Sequence, residues 1–395
     1  MLSYHDQRLW VEGQPLRALA AGMPTPFYLY SLPALERRIA RLKDAFPHAW
    51  LTFAYKANRH PVLLHRLASH GLGADVVSLG ELRAARAAGV PANRIIVNGN
   101  AKTRAELEAA VQMGVGLIQL DAAEEVPRLA DVVARVGREA NVGLRINPGL
   151  DMATHPHLKV GARGSHFGIP PDQVLATARA VTKTPGLRLR GIHLHVGSQL
   201  TDVAALEVIA QEAARWYRTL RGAGYPIEVV NLGGGWGIDY AGTGREIEPH
   251  EVARRVAQAF AGEAVRIALE LGRWLVGPVG MLVVRVVQVK RAWGRTFIAV
   301  DGGMNALLRP ALYAARHRIL PERQGEPITP ADVVGPNCES ADVLARDVPL
   351  PPLREGDLLV ILDAGAYGET MANTYNARPL PPALVLNEPA TTPEA

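Results

Sequence analysis

The sequence has few of the features that place a protein outside the reducing interior of a cell. It contains one cysteine among 395 residues, so no disulfide can form within the chain. No stretch reaches about 18 uninterrupted apolar residues, which predicts that no helix spans a membrane. The first residues, Met1–Gln7, lack the basic segment and apolar core of a secretory signal. These absences together predict a cytoplasmic protein that does not contact a membrane.

The chain also lacks the charge pattern of a nucleic-acid-binding protein. Its formal net charge is +5, but the 43 lysines and arginines are scattered, without a basic run or interleaved aromatic residues. This distribution favours anionic small molecules over nucleic acid as ligands. No set of metal ligands is predicted. The hydrophobic fraction of 48% and charged fraction of 21% are those of an ordinary globular protein long enough for two domains.

Strand-like and helix-like segments alternate between about residues 50 and 273. Eight apolar strand candidates separated by helical runs match a (β/α)8 barrel in number and in length. The main rival is a doubly wound sheet, but the Gly-x-Gly-x-x-Gly sequence usual after its first strand is missing. The eight strand candidates are Trp50–Ala54, Ala74–Val77, Arg94–Val97, Leu117–Leu120, Val142–Ile146, Leu189–Val196, Glu228–Leu232 and Arg266–Glu270.

The pattern changes after Gly277 and Pro278, where β-rich segments with turns and prolines replace the alternation. We therefore expect a barrel domain over residues 31–277 and a second, mostly-β domain, a β-barrel or sandwich, over residues 278–395. The strand-like segment Phe27–Tyr30 predicts that residues 1–30 join this second domain.

Lys56 follows the first strand candidate directly, and no carboxylate lies beside it in the sequence. Burial at the end of a barrel strand favours the neutral amine, which is the form that makes Schiff bases with carbonyl compounds. A lysine that simply reaches solvent at a strand end is the alternative explanation. Because active sites of such barrels lie at the carboxyl ends of the strands, the other strand ends decide between the two.

Polar and glycine-rich residues concentrate at those strand ends. The three glycines Gly233–Gly235 allow close approach of a ligand and can form an anion-binding nest, to which Ser198 can add a hydroxyl. His195 is expected to point into the barrel mouth and stack on a flat ring. A flexible glycine turn and a histidine satisfied within the core are the simpler alternatives.

Glu270 ends an apolar strand candidate, where an unpaired carboxylate is costly. It needs a cationic partner, which is either Arg273, Arg145 or a protonated ring nitrogen of a ligand; a plain buried ion pair is the alternative. An amine, an anion nest, a stacking ring and this carboxylate together predict pyridoxal 5'-phosphate, whose ring accepts electrons best when its nitrogen is protonated.

Several motifs in the chain resemble those of the fold-type III pyridoxal-phosphate decarboxylases, most closely the diaminopimelate decarboxylases, over about residues 22–385. The motifs that carry the resemblance are Phe53–Asn58, His193–Gln199, Asn231–Tyr240, Glu270–Arg273, Asp301–Asn305, Arg309–Tyr313, Gly335–Ser340 and Asp363–Gly368. The resemblance implies the decarboxylation of meso-2,6-diaminopimelate to L-lysine and carbon dioxide.

The resemblance also implies roles for individual residues. Lys56 would bond to the cofactor aldehyde, His195 would stack on the ring, and Cys338 would return a proton to the carbon that loses carbon dioxide. The implied cofactor-binding residues are Lys56, Asp75, Arg145, His195, Ser198, Gly233, Gly234, Gly235, Glu270, Gly272, Arg273 and Tyr367. The implied substrate-binding residues are Arg273, Arg309, Tyr313, Glu339 and Tyr367. In this family Cys338 and Glu339 come from the partner subunit, so a homodimer with shared active sites is implied.

Four positions depart from the family pattern near the substrate or its covering loop. Leu271 replaces a proline, His166 a lysine, Glu369 a phenylalanine and Thr374 a residue such as asparagine. They leave open a related decarboxylase acting on carboxynorspermidine or on a siderophore or antibiotic precursor. An amino-acid racemase and a non-catalytic cofactor carrier are less favoured. Glu270 argues against the racemase, and the second domain argues against the carrier.

Overall fold

The chain forms two compact units in its computed structural model, which describes residues 1–150, 161, 164–327 and 329–387. The barrel unit comprises residues 39–238 and 246–274, and the β unit comprises residues 1–38, 239–245 and 275–395. None of the helices in the described ranges is long and apolar enough to cross a bilayer.

Both units contain strands and helices, and most of the strands are short. The strands are β1 (Leu2–His5), β2 (Arg8–Val11), β3 (Gln14–Pro15), β4 (Phe27–Ser31), β5 (Trp50–Ala54), β6 (Gly73–Val76), β7 (Ile95–Val97), β8 (Leu117–Leu120), β9 (Ala140–Arg145), β10 (Leu187–His193), β11 (Val229–Asn231), β12 (Arg266–Leu271), β13 (Gly280–Ala292), β14 (Arg295–Val300), β15 (Ile319–Pro321), β16 (Thr329–Val334), β17 (Val343–Leu350), β18 (Leu358–Ile361) and β19 (Ala383–Leu386). The helices are α1 (Leu16–Ala21), α2 (Leu32–Ala45), α3 (Pro61–Ser69), α4 (Leu79–Ala87), α5 (Arg104–Met113), α6 (Glu125–Val136), α7 (Val174–Lys183), α8 (Val203–Gly222), α9 (Pro249–Ala259), α10 (Arg273–Val276) and α11 (Arg309–Tyr313).

The eight strands β5 to β12 form a closed barrel in which consecutive strands are neighbours and every pairing is parallel. Short runs of apolar residues, such as Ile95–Val97, are buried throughout, as is usual for a parallel sheet covered by helices. This arrangement confirms the predicted (β/α)8 barrel and places the carboxyl ends of all eight strands at one rim.

One predicted strand end is wrong by three residues, and four others differ from the structure by a single residue. The sequence pattern predicts a strand over the whole segment Leu189–Val196, but β10 ends at His193. His193 pairs with Asn231, which is the last residue of β11. Strand β11 therefore offers no residue with which β10 could pair beyond His193. Leu194 donates one more backbone hydrogen bond to Asn231 (2.9 Å), and the chain then leaves the barrel wall. His195 therefore lies in the loop rather than in the strand.

The β unit is built on a mostly antiparallel sheet with the order β15-β18-β13-β14-β16-β17. Strand β4 pairs antiparallel with β13 and parallel with β19, so the N-terminal segment contributes this strand to the sheet, while β1, β2 and β3 form a small sheet of their own in the same unit. The core of the unit packs residues from β2, β4, β13 and β18, among them Leu9, Phe27, Val283 and Val360. The polar tail Glu388–Ala395 lies outside the described residues.

Candidate active site

Each of the eight barrel strands carries a polar side chain within one or two residues of its carboxyl end. In strand order from β5 to β12 these residues are Lys56, Asp75, Asn98, Asp121, Arg145, His193, Asn231 and Glu270. Seven of them, all except Lys56, are buried. Because buried polar groups are stable only when they are paired, these side chains must satisfy one another or a ligand.

Glu270 is the centre of this set. Its Oε1 atom accepts hydrogen bonds from the side-chain amides of Asn98 (2.7 Å) and Asn231 (2.5 Å). Its Oε2 atom lies 3.2 Å from Nε2 of His193. Three different strands therefore position a single carboxylate.

The surroundings favour the ionised form of Glu270. Burial works against the charge, but His193, Asn231 and Asn98 outweigh it and hold the pKa below its ordinary value. Asp75 shows the opposite behaviour, because burial and the Glu270 charge raise its pKa. The amide of Asn98 also donates to Oδ1 of Asp75 (2.7 Å), so it links the two carboxyl groups. Glu270 thus carries the negative charge of this pair.

Lys56 lies on the short 3-10 turn Tyr55–Ala57 that follows β5, and its side chain is exposed. The expectation that burial would neutralise this amine is therefore wrong. The sequence shows no adjacent carboxylate, but in the fold Asp75 and Glu81 both interact electrostatically with Lys56. The side chain nevertheless lies at the strand end where an amine was predicted.

The glycine segment Gly233–Gly235 follows β11 and packs tightly against its neighbours. A Cβ atom on Gly234 would lie 2.2 Å from the carbonyl oxygen of Glu270, and one on Gly235 would lie 2.2 Å from that of Gly197. Gly233 and Gly235 also have positive φ values, which glycine adopts at no steric cost. Larger residues do not fit in this loop.

His195 lies beside this loop and is half-buried. Its Nδ1 atom accepts a hydrogen bond from the backbone N–H of Gly234 (3.3 Å), which leaves the proton on Nε2. Burial and the positive charges of Lys56 and Arg145 hold the pKa of His195 well below its ordinary value. A neutral imidazole ring therefore faces this part of the rim.

The two arginines considered as partners for Glu270 have other contacts. Arg145 pairs with Asp121 (Nη1 to Oδ1, 2.7 Å), and its guanidinium carbon lies 4.7 Å from the centroid of the Phe167 ring. Arg273 donates from Nη2 to Oγ of Ser198 (3.1 Å). Of the three partners considered, a protonated ring nitrogen is thus the one that best completes the Glu270 environment.

A second cluster of predicted site residues lies in the β unit around Arg309, which is buried at the start of α11. Its Nη1 atom lies 2.7 Å from Nε2 of His317, and its guanidinium carbon lies 4.5 Å from the centroid of the Tyr240 ring. Nδ1 of His317 lies 2.7 Å from the carbonyl oxygen of Leu362. Since that carbonyl only accepts, the His317 proton is on Nδ1 and Nε2 accepts from Arg309.

The loop Gly335–Ser340 carries Cys338 and Glu339, and both side chains are exposed. The buried carboxylate of Asp342 holds this loop: it accepts hydrogen bonds from the backbone N–H groups of Asn337 (2.7 Å) and Met304 (2.6 Å). A Cβ atom on Gly335 would lie 2.3 Å from that carboxylate. Asp342 therefore ties the loop to the segment Asp301–Asn305.

The remaining predicted residues of the β unit lie near these clusters in sequence. Tyr313 is half-buried at the end of α11, and Tyr367 is half-buried with a φ of 58°. Glu369, one of the departures from the family pattern, accepts a hydrogen bond from the hydroxyl of Tyr30 (2.7 Å). That unusual residue thus has a structural partner within the β unit.

Sequence reasoning did not assign roles to five residues that hold the predicted ones in place. These residues are Asn98, His193, Asn231, His317 and Asp342. Two of them left a signal, because His193 and Asn231 begin two of the motifs that carry the family resemblance. Side chains of a strand alternate between its two faces, and His193 lies on the same face as the other inward-facing residues of its strand.

The barrel residues fit pyridoxal phosphate by their own chemistry. An ionised carboxylate, a neutral imidazole, an amine and a tight glycine loop lie at one rim. Nδ1 of His193 and Oδ1 of Asn98 are buried without a hydrogen-bond partner among the described residues, which is consistent with a polar ligand there.

Comparison with known proteins agrees with this assignment. Residues 32–277 match the family model described as the pyridoxal binding domain of pyridoxal-dependent decarboxylases. The diaminopimelate decarboxylase of Archaeoglobus fulgidus is 38% identical over 96% of this chain and 92% of its own length. That of Aquifex aeolicus is 36% identical over 96% of this chain and 90% of its own length. The crystal structure of the Helicobacter pylori diaminopimelate decarboxylase complexed with L-lysine has a TM-score of 0.91 and 34% identity, covering 94% of each chain.

Proposed function

We propose that this chain, which belongs to the pyridoxal-dependent decarboxylase family, removes carbon dioxide from meso-2,6-diaminopimelate and releases L-lysine. It is a carboxy-lyase that uses pyridoxal phosphate, and the reaction is the last step of the diaminopimelate route to lysine. The relatives that share about a third of its residues over nearly its full length are diaminopimelate decarboxylases.

The observation that carries the reaction type is the ionised Glu270 held by Asn98, His193 and Asn231. When bound, pyridoxal phosphate accepts the electron pair left by the departing carboxylate, and a carboxylate at its ring nitrogen keeps that nitrogen protonated. Racemases of the same fold usually place an arginine at that nitrogen, which discourages full delocalisation of the charge into the ring. Glu270 therefore supports decarboxylation over racemisation.

The other barrel residues would hold the cofactor. Lys56 would supply the amine for the cofactor aldehyde, and the imidazole of His195 would offer a flat, uncharged face. The glycine segment Gly233–Gly235 and the hydroxyl of Ser198 suit the phosphate, because backbone N–H groups and hydroxyls donate to anions. Asp75, Arg145, Gly272, Arg273 and Tyr367 remain proposed cofactor contacts.

The β unit would supply substrate recognition. Arg309 is oriented by His317 and Tyr240, and a fixed guanidinium is suited to bind a carboxylate of the substrate. Arg273, Tyr313 and Tyr367 would complete the proposed substrate contacts. Glu339 would bind the distal ammonium group, which distinguishes diaminopimelate from substrates without one.

Cys338 would deliver the proton that replaces the lost carboxylate. Its thiol is free and exposed, and its backbone N–H donates to Oδ1 of Asn376 (3.0 Å), which fixes the loop at this residue. We propose that Cys338 and Glu339 act in the active site of a partner subunit, so that a homodimer is the active form. The proton-donor role requires a reduced thiol, which supports a cytoplasmic location.

The experiment is carbon dioxide release by the cofactor-loaded protein with meso-diaminopimelate, lysine, ornithine, arginine and carboxynorspermidine in parallel. Release from diaminopimelate alone, with L-lysine as product, supports the proposal. Release from another member of the panel keeps the chemistry and overturns the substrate. The Cys338→Ala variant separates an enzyme from a carrier, because it should retain the cofactor and lose turnover.

A further inference from the structure

A second polar pocket lies at the amino-terminal ends of the barrel strands, opposite to the rim described above. Its volume is about 400 Å3, and it crosses the starts of four adjacent strands, β12, β5, β6 and β7. The lining comes from the end of α2, the segment Phe46–Ala49 before β5, the segment His70–Leu72 before β6, and single residues of β5, β12 and the turn before β7. The proposed decarboxylase chemistry uses none of these residues.

Every charged group that lines this pocket is basic. Lys43, Arg94 and Arg266 contribute three positive charges, and His48 and His70 add two imidazoles. The lining contains no carboxylate among the residues that the structure describes. Lys43 donates from Nζ to the carbonyl oxygen of His70 (3.1 Å), which holds the ammonium at the pocket wall. A volume of this size accommodates a small metabolite.

Arg266 begins β12, and Arg94 lies in the turn before β7. Strands β5 and β6 separate the two, and the fold brings both arginines to one pocket. The guanidinium carbon of Arg266 lies 5.4 Å from the centroid of the buried Trp50 ring, so this side chain is supported from one side. Burial and the positive charge of Arg266 lower the pKa of Arg94. Like charges held together in this way are unfavourable unless an anion lies between them.

Arg94 also has an unmet hydrogen bond. The side chain is half-buried, and its Nε atom has no hydrogen-bond partner within the described part of the chain. A buried donor that lacks an acceptor costs free energy, and native proteins rarely leave one without a reason. With a small shift of the Arg94 side chain, an oxygen atom of a bound anion would accept from this donor and neutralise both guanidinium groups.

We propose that this pocket binds a small multivalent oxyanion, held by the guanidinium groups of Arg94 and Arg266 and the ammonium group of Lys43. Arginine pairs with phosphate and carboxylate oxygens through its planar set of donors, and lysine adds a point charge. The chemistry that phosphate-bearing and polycarboxylate metabolites share, several oxygens with two or more negative charges, matches this lining.

The test is isothermal titration calorimetry on the cofactor-loaded protein, so that the cofactor occupies its own phosphate site. Inorganic pyrophosphate and citrate are the two probes, and sodium chloride keeps the ionic strength equal in every titration. The Arg94→Gln and Arg266→Gln variants remove the proposed contacts. Arg291→Gln, at an exposed position of β13, removes the same charge elsewhere and is the matched control. Lys43→Gln changes an exposed side chain and serves if an arginine variant does not fold.

The expected result is saturable binding of at least one probe, weakened about tenfold or more by each arginine variant and unchanged by Arg291→Gln. Binding of pyrophosphate alone would assign a phosphate-bearing ligand, and binding of citrate alone a polycarboxylate. No saturable binding of either probe would overturn the proposal. The proposal would also be overturned if Arg291→Gln weakened binding of the probe as much as the pocket variants do. It would likewise be overturned if no pocket variant weakened binding. The binding measurement needs no substrate. A failure of the anion-site proposal can therefore be distinguished from a failure of the decarboxylase assignment.

Discussion

Nε2 of His193 lies 3.2 Å from Oε2 of Glu270, at the ends of two barrel strands. Asn98 and Asn231 donate to the other oxygen of the same carboxylate, so four strands of the barrel converge on one charge. Burial alone would favour the protonated acid, and these three partners reverse that preference. The barrel itself thus maintains the ionised carboxylate that pyridoxal-dependent decarboxylation requires.

Replacement of Glu270 by glutamine tests this charge directly. The amide keeps the shape of the side chain but loses the charge, and a charge-assisted hydrogen bond is worth about 1.5–3 kcal/mol. We expect kcat for carbon dioxide release to fall about tenfold to a hundredfold or more. The absorbance of the cofactor should show that the variant still binds it. Glu139→Gln, at an exposed position, is the matched control. Full activity of Glu270→Gln would contradict the role of the charge.

The pH dependence should report the contact with His193. His193 lowers the pKa of Glu270, so removing it by His193→Asn should raise that pKa. Because the ionised carboxylate is the active form, activity is then lost at a higher pH on the acid side. We expect the acid limb of the kcat/KM profile to move to higher pH, while the exposed control His65→Asn leaves it in place. An unmoved limb in His193→Asn would show that another group sets it.

Asp342 should act on catalysis through the loop that it holds. The Asp342→Asn change replaces an acceptor of several N–H groups with a group that also donates, so Asn337 and Met304 lose part of their anchor. We expect kcat to fall about tenfold, with the cofactor still bound, because Cys338 is no longer positioned. Asp172→Asn, on the exposed surface, should have no effect. A loss of cofactor without a change in kcat of the loaded enzyme would argue for a purely structural role.

His317 should influence substrate binding rather than the chemical step. It accepts from Arg309 and donates to the Leu362 carbonyl, and an asparagine at this position is too short to do both. We expect His317→Asn to raise KM for diaminopimelate about tenfold, with a smaller change in kcat. The matched control is again His65→Asn. If kcat fell and KM did not change, Arg309 would not be a ground-state substrate contact.

The glycine loop after β11 offers a stability test with an internal control. A methyl group on Gly234 would lie 2.2 Å from the Glu270 carbonyl oxygen, whereas one on Gly222, at the end of α8, would meet nothing within 4 Å. Gly234→Ala should therefore lose about 1–3 kcal/mol of stability and some affinity for the cofactor. Gly222→Ala should be neutral or slightly stabilising. Thermal midpoints of the two variants with and without cofactor give the comparison.

The barrel could be predicted from the sequence because its strands are short apolar runs with helices between them. The candidates Trp50–Ala54 and Leu117–Leu120 agree with β5 and β8 to the residue. The end of β10 could not be predicted, because it depends on the length of the neighbouring strand β11. A pattern within one segment does not contain that information.

The site was predictable only in part. Glu270 could be identified because a carboxylate at the end of an apolar strand requires a partner. The partners themselves could not, since Asn98 is 172 positions away along the chain and Asn231 is 39. The exposure of Lys56 was predicted only as the alternative explanation. Its charged neighbours Asp75 and Glu81 could not be predicted, because they come from the next strand and helix.

The most direct test of the account is the conversion of meso-diaminopimelate by the cofactor-loaded enzyme in deuterium oxide, followed by nuclear magnetic resonance. Decarboxylation with proton delivery from an exchangeable thiol should give L-lysine with one deuterium on the carbon that lost its carboxylate, together with an equal amount of carbon dioxide. Diaminopimelate that gains deuterium at its α-carbons without release of carbon dioxide would contradict the account and indicate a racemase. Diaminopimelate recovered unchanged would contradict the substrate assignment.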